Sequence, residues 1–185
     1  MSFTVRSYED SDADGWLRCR LLSFFKTDYF DDVVVERPQL TGSALRLVAI
    51  EDRRVAGLLD REVTDDAATI ETIAVLPESA RRGIATALLE VALVALRARR
   101  IHTIDAWTRE DSAANAWYLA NGFAENHRYL HVQKEADDSE EGFLTPSGLG
   151  APIRALLHAP IEMESDLRRR YRRVYVCRQY LRELR

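Results

Sequence analysis

Apolar and polar positions change period several times along the chain, and each change predicts an element. Phe3 and Val5 alternate with Thr4 and Arg6, the period of a half-buried strand over residues 3–7. Asp10, Ser11 and Asp12 offer a helix start, after which Trp16, Leu17, Cys19, Leu21 and Leu22 form an apolar face that runs to about Phe25. Residues 26–41 keep neither period; Tyr29, Phe30, Asp31, Asp32 and the valines that follow predict either a second short helix or a loop over the core. Residues 45–50 and 55–63 are strand-like runs joined by Glu51-Asp52-Arg53-Arg54, a short polar turn, and so predict a β-hairpin. A second turn, Thr64-Asp65-Asp66-Ala67, leads into Ile70-Glu71-Thr72-Ile73-Ala74-Val75-Leu76, a strand that Pro77 ends because proline has no N–H to give a ladder. From Gly83 the period becomes helical, with Ile84, Leu88, Leu89, Val91 and Leu93 recurring, and Arg97, Arg99 and Arg100 stand where positive charge suits the helix dipole.

Residues 101–107 are again strand-like, and the intervening helix makes them the parallel neighbour of the strand at Ile70. Asp111 is a good N-cap, Ala114, Trp117 and Tyr118 share a helix face, and Gly122 is a natural left-handed stop. Residues 125–132 continue as a strand with His127, Tyr129 and His131 on one face. The last strand is expected at residues 173–181, and residues 134–170 are an insertion before it. That insertion holds an acidic run from Glu135 to Glu141, turns at Pro146, Gly148, Gly150 and Pro152, a short apolar run over 153–157 and a helix over 162–170. An antiparallel meander followed by β-α-β gives an α/β class with a mixed central sheet.

Composition narrows the function classes. A chain of 185 residues that is 46% hydrophobic can bury one substantial core, so one domain over residues 1–185 is expected. A net charge of -4 argues against nucleic acid or anionic membrane as partner. Cys19 and Cys177 stand at opposite ends of the chain and can build neither a disulfide framework nor a zinc site. His127 and His131 would span roughly 13 Å along a strand, too far to share one metal, so no metal is expected. There is no apolar leader and no run near the roughly 20 apolar residues that cross a bilayer, which predicts a cytoplasmic protein.

The candidate chemistry starts at the loop before Gly83. The first turn of a helix leaves N–H groups unpaired, and Arg81 and Arg82 stand beside them, a seat for an anion and most plausibly a phosphate. Neither G-x-x-x-x-G-K-[ST] nor G-x-G-x-x-G occurs, so a nucleotide triphosphatase and a dinucleotide fold are poorly supported. The stretch Ala74-Val75-Leu76-Pro77 with Arg81-Arg82-Gly83-Ile84-Ala85 resembles the coenzyme A signature of the GNAT superfamily of N-acetyltransferases. A second stretch, Ala114, Tyr118, Gly122 and Phe123, is similar to that family's A-x-x-x-Y-x-x-x-G-F. Two such motifs in order, separated by a strand, are far more specific than either alone.

The resemblance implies a GNAT fold and acetyl-CoA as acetyl donor. It places cofactor contacts at Ala74, Val75, the backbone of Arg82, Gly83, Ile84 and Ala85, and the Thr86 hydroxyl. Ala80 stands where the family usually carries Arg or Gln, so Arg81 or Arg82 would supply the charge. It implies that Tyr118 protonates the departing thiolate, that Asp111 replaces a common asparagine with Asn115 as substitute, and that an N–H near Val75 meets oxyanion charge. A phenol of pKa about 10 suits a thiol of about 8.5. An alkyl amine must lose a proton before it attacks; Glu71 is the first choice of base, with Asp60, Glu62 and Asp105 as rivals. The acceptor site is expected at Tyr29, with Phe30, Asp31 and Asp32, and at Asp60, Asp105, Trp107 and His127. The acidic insertion favours a small cationic amine as acceptor, with a protein lysine or N-terminus second; a GNAT-fold module that binds coenzyme A without turnover is the alternative of another class. A long apolar final strand at a sheet edge would also allow a homodimer.

Overall fold

The computed structural model describes residues 2–40 and 43–184; Thr41, the end of the ambiguous stretch, lies outside them. The strands are β1 (Thr4–Ser7), β2 (Leu45–Glu51), β3 (Arg54–Thr64), β4 (Ala67–Val75), β5 (Thr103–Thr108), β6 (Ala124–Lys134), β7 (Ala155–Ala159) and β8 (Arg173–Glu183). The helices are α1 (Ala13–Phe24), α2 (Ile84–Ala98), α3 (Ser112–Ala120) and α4 (Glu164–Arg170). All eight strands form one mixed sheet in the order β1-β2-β3-β4-β5-β8-β6-β7. The elements follow the periods in the sequence, and the short meander turns follow from residues that tolerate positive φ: Asp52 and Arg53 at φ 46 and 63, and Asp65 at φ 55.

The two sheet faces are covered differently. α1 buries Trp16 and Cys19 against Val48, Val55, Leu58, Ala74 and Leu76 on one face. On the other, α2 buries Ile84, Leu88, Leu89, Leu93 and Leu96 in the main core with Leu47, Leu59, Ile70 and Ile104, and α3 adds Tyr118. α4 packs Leu167, with Tyr171, on Leu130, Val132, Val174 and Val176. Cys19 and Cys177 are buried free thiols, and burial pushes the Cys19 thiol up to about 11. Among the described residues no helix is long and apolar enough to cross a membrane.

Two features of the sheet position the site. First, β4 and β5 are parallel but pair only from Ala67 to Ile70 against Thr103 to Ala106, so β4 continues past its partner. Leu76 N–H bonds to the Ala56 carbonyl on the β3 side. The groups of Val75, one residue back, therefore face the open side, where its carbonyl accepts the Ser23 hydroxyl at 2.8 Å. Second, β4 carries a bulge opposite β3. Arg61 pairs with Ile70 and Asp60 with Thr72, which leaves Glu71 as the extra residue. The bulge shifts the alternation by one, so Ile70 and Ile73, three apart, both pack toward α2.

One expectation is corrected, and two stretches left open by the sequence are resolved. β8 is not an edge strand: it pairs antiparallel with β5 on one side and β6 on the other, so the edge argument for a homodimer falls. The order of strands in a sheet is set by tertiary packing, which a linear pattern does not carry. Residues 26–40 form no helix; they are held as a loop by Arg20 on the Asp32 carbonyl and carboxylate, Arg173 on Asp31, and Arg109 on the Asp28 carbonyl. The apolar run in the insertion is a strand, β7, laid antiparallel on the outside of β6.

Candidate active site

The strand-loop-helix unit builds one wall of a cleft. Leu76 is followed by a 3₁₀ turn at Pro77–Ser79, Arg81 takes a positive φ of 59, and Gly83 takes φ 81, a left-handed conformation natural to glycine. A Cβ at Gly83 would have no heavy atom within 4 Å, so the approach to the backbone here is open. The first bond of α2 runs from Ala87 N–H to the Gly83 carbonyl, and the N–H groups of Gly83, Ile84, Ala85 and Thr86 precede it without a backbone partner. These residues fit an anionic phosphate. Close packing of α2 on β3 is possible because position 57 is glycine: a Cβ there would lie 2.6 Å from Ile84 Cγ2 and 3.2 Å from the Ala74 carbonyl oxygen.

The cleft between the splayed ends of β4 and β5 has a volume of about 360 Å³. Residues 70–75, Ala85, Trp107, Ala114, Trp117 and Tyr118 line it, with Ser23, Thr27 and Tyr29 from the α1 side. Tyr118 is 4% exposed; its ring stacks on Tyr180 at 5.2 Å and meets Phe123 edge-on. Its hydroxyl makes no hydrogen bond to the described residues, and burial holds the phenol well above its ordinary pKa. The nearby Tyr29, Asp105 and Tyr180 add to that shift. Glu71 also has its pKa raised, first by burial and then by Glu62 and Asp105. Three carboxylates line the cleft, and two are engaged: Asp32 pairs with Arg20 at 3.3 Å, and Asp111 caps α3 by accepting from the N–H groups of Ala113 and Ala114. Glu71 has neither an ion pair nor a hydrogen bond to the described residues.

Other expected site residues lie elsewhere. Asp60 is 3% exposed on the α1 face near Trp16, Arg37 and Arg46, away from the cleft, and burial pushes its pKa up to about 6. Asp105 accepts from the Thr69 hydroxyl at 2.6 Å and from the Gln179 amide, which leaves it as a neighbour of Tyr118 rather than a lining group. Asn115 is turned toward the Arg109 carbonyl at 3.5 Å, outside the cleft lining. Thr86 accepts the Trp117 indole N–H at 3.2 Å, so its hydroxyl oxygen is already placed. Arg82 forms two hydrogen bonds with Glu51, whose carboxylate also accepts the Ser79 hydroxyl; its charge is used within the fold, and Arg81 remains the exposed guanidinium beside the helix start. Trp107 lines the cleft, but His127 lies next door, its ring 6.1 Å from Trp107, in a groove beside β6.

Several residues of the site were not legible as such. Arg109 is 5% exposed; its Nε donates to His131 Nδ1 at 3.2 Å, its backbone N–H donates to the Tyr29 hydroxyl at 2.9 Å, and its guanidinium lies 4.3 Å over the Tyr29 ring. His131 also meets the Tyr129 hydroxyl at 2.9 Å and stacks on His158 of β7 at 5.0 Å. Burial first, then Arg109 and His158, depress its pKa to about 4. Two carboxylates of the acidic run are paired: Glu135 with Arg154 and Arg173, and Asp137 with Arg172; Asp138 accepts the Glu135 N–H.

Comparisons with known proteins agree with this geometry. Residues 43–125 match the acetyltransferase (GNAT) domain family. No curated protein matches the chain. Among solved structures, the PaiA N-acetyltransferase from Thermoplasma acidophilum, in complex with coenzyme A, is 15% identical with a TM-score of 0.58, covering 68% of this chain and 92% of that one. The ribosomal-protein-S18-alanine N-acetyltransferase from Escherichia coli is 18% identical with a TM-score of 0.59, covering 99% and 94%. An N-acetyltransferase from Staphylococcus aureus Mu50 is 13% identical with a TM-score of 0.64 over the whole of both chains. These likenesses are of fold. Residues 43–125 thus match a GNAT acetyltransferase domain, and the fold around them is the one shared by these acetyltransferase structures.

Proposed function

We propose that the protein transfers an acetyl group from acetyl-CoA to a primary amine by direct attack in a ternary complex. The observation that carries this reading is the convergence on one cleft of the α2 start, the open side of Val75, the buried Tyr118 and the unpaired Glu71. Bound acetyl-CoA supplies the thioester. The N–H groups from Gly83 to Thr86 hold its pyrophosphate, and Arg81 adds charge from solvent. Glu71, kept partly protonatable by burial and by Glu62 and Asp105, takes the proton from the incoming ammonium, directly or through a water. The amine then adds to the carbonyl carbon and the Val75 N–H receives the oxyanion. As the C–S bond breaks, the Tyr118 hydroxyl donates to the sulfur and its proton passes to the thiolate, while the adduct's positively charged nitrogen gives its extra proton to water; solvent then restores the tyrosine proton and takes the one held by Glu71.

The pairing of Glu135 and Asp137 with arginines weakens the charge argument for a small cation, and the acidic run does not line the cleft, so the amine is left at the level of its class. The test is thiol release from acetyl-CoA over a panel of primary amines and lysine-containing peptides. Release that depends on the amine, and that Glu71→Gln reduces most where the wild-type carboxylate is ionised but the amine is still protonated, with the two proteins converging at low pH, supports the reading. Tight coenzyme A binding with no release from any amine would favour the non-catalytic module instead.

A further inference from the structure

β6 has two neighbours along only part of its length. β8 pairs with it from Ala124 to Gln133 around a bulge at Asn126, whereas β7 pairs only from Leu130 to Lys134. After Ala159 the chain passes into Pro160, which has no N–H to extend the ladder, and then into a 3₁₀ turn at Ile161–Met163. The first half of β6 therefore presents an open edge, with every second residue's N–H and C=O lacking a strand partner. Beside that edge runs a groove of about 820 Å³, walled by residues 125–129 on one side and 158–162 on the other. Past the bulge at Asn126 the regular alternation resumes, so a groove that touches His127, Arg128 and Tyr129 in a row follows the strand's edge rather than either face.

The groove lies beside the cleft, with Trp107 between the two. The Trp107 ring lines the cleft and lies 6.1 Å from the His127 ring and 5.4 Å from the Tyr129 ring, both of which line the groove. Of its two lining carboxylates, Glu125 is already paired with Arg128 at 3.5 Å and Arg178 at 3.3 Å, which leaves Glu162 as the carboxylate without an ion pair among the described residues. What it offers beyond that is backbone. Five residues at about 3.4 Å each give roughly 17 Å of ladder, enough for a short extended segment.

We infer that the acceptor amine is carried by an extended peptide that adds as a strand to the open edge of β6 at residues 125–129, with its side chains passing His127 and Tyr129 toward Trp107. This rests on the acyl transfer proposed above. The probe is a mixture of heptapeptides with a central lysine and randomised flanks, with spermidine and hexylamine as small amines. With coenzyme A present, saturating mixture should slow amide hydrogen exchange at alternate residues of 125–129. For a member that is turned over, N-methylation of alternate peptide amides should raise KM by about tenfold or more in one phase and hardly at all in the other, since only one phase faces the edge. Unchanged exchange at saturating peptide would overturn the inference, as would small amines exceeding every peptide in kcat/KM with no phase effect. Slowed exchange without thiol release from any amine would leave the strand docking standing and sink the acyl-transfer reading.

Discussion

Gly57→Ala tests the link between the sheet and the cofactor seat. The added Cβ would lie 2.6 Å from Ile84 Cγ2, 3.3 Å from Leu88 Cδ1 and 3.2 Å from the Ala74 carbonyl oxygen. Ile84 cannot swing away, because a β-branched side chain in a helix has essentially one χ1 rotamer, and the carbonyl is backbone. Restoring ordinary contact, 3.4 Å, needs a shift of about 0.8 Å, and the start of α2 must supply it. Overpacking of this kind costs about 1–3 kcal/mol, or about 2–4 °C in Tm per kcal/mol for a chain of this size. Because the displaced turn carries the N–H groups of Gly83 to Thr86, coenzyme A affinity by calorimetry should fall by about tenfold or more. Adding Ile84→Ala removes the clashing methyl, so the double variant should be more stable than the sum of the single effects predicts. Strict additivity, or a lowered Tm with unchanged affinity, would refute the idea that the glycine holds the seat in place.

Tyr118→Phe removes only a hydroxyl that no described residue binds, so fold and coenzyme A affinity should hold while turnover falls by roughly 10²–10⁴; loss of affinity in step with activity would make Tyr118 a packing residue. Gly83→Glu should abolish coenzyme A binding in calorimetry, whereas Gly83→Ala, which imposes only the left-handed strain of about 1–2 kcal/mol, should retain most of it. Arg81→Ala should weaken coenzyme A by about 1 kcal/mol or less; Arg82→Ala should instead lower Tm by releasing Glu51, with affinity following only as the loop loosens. His131 gives a pH signature. Its folded pKa of about 4 lies below the ordinary value near 6.5, so the unfolded chain binds the proton first and stability, full above about pH 6.5, is lost as pH falls toward 4. The loss should be about 1–3 kcal/mol in urea titrations after allowing for the part of the ring that water reaches, and His131→Gln should flatten it.

The elements that could be read from the sequence are those whose signals are local. The turn to helical period at Ile84, the proline that ends β4, Asp111 as a cap and Gly122 at φ 79 all act within a few residues, and each predicted what it forms. The bulge at Glu71 had no such mark, because a bulge is a property of two strands in register, and β4 alone reads as a regular alternation. The loop at 26–40 lacked a period because nothing local holds it: Asp31 meets Arg173 across 142 residues of chain, and Asp28 meets Arg109 across 81. β8 read as an edge because it comes last, although the sheet places it between β5 and β6.

The site divides in the same way. Its coenzyme A half is a single supersecondary unit, so the residues that build it are neighbours in sequence as well as in space. The proposed acceptor half draws on the ends of β5, β6 and β7, and Arg109, which packs against the cleft residue Tyr29, looks in sequence like one more solvated arginine after a strand. Only the fold shows it buried among Tyr29, His131 and Tyr175. The acidic run is the converse case: in sequence it reads as a collector of cations, but Arg172 and Arg173 fold back onto Asp137 and Glu135, and the run does not line the cleft. Acceptor recognition at the cleft then turns on hydrogen bonding as much as on that charge. The unpaired half of β6 beside Trp107 is where the chain still has backbone groups to offer.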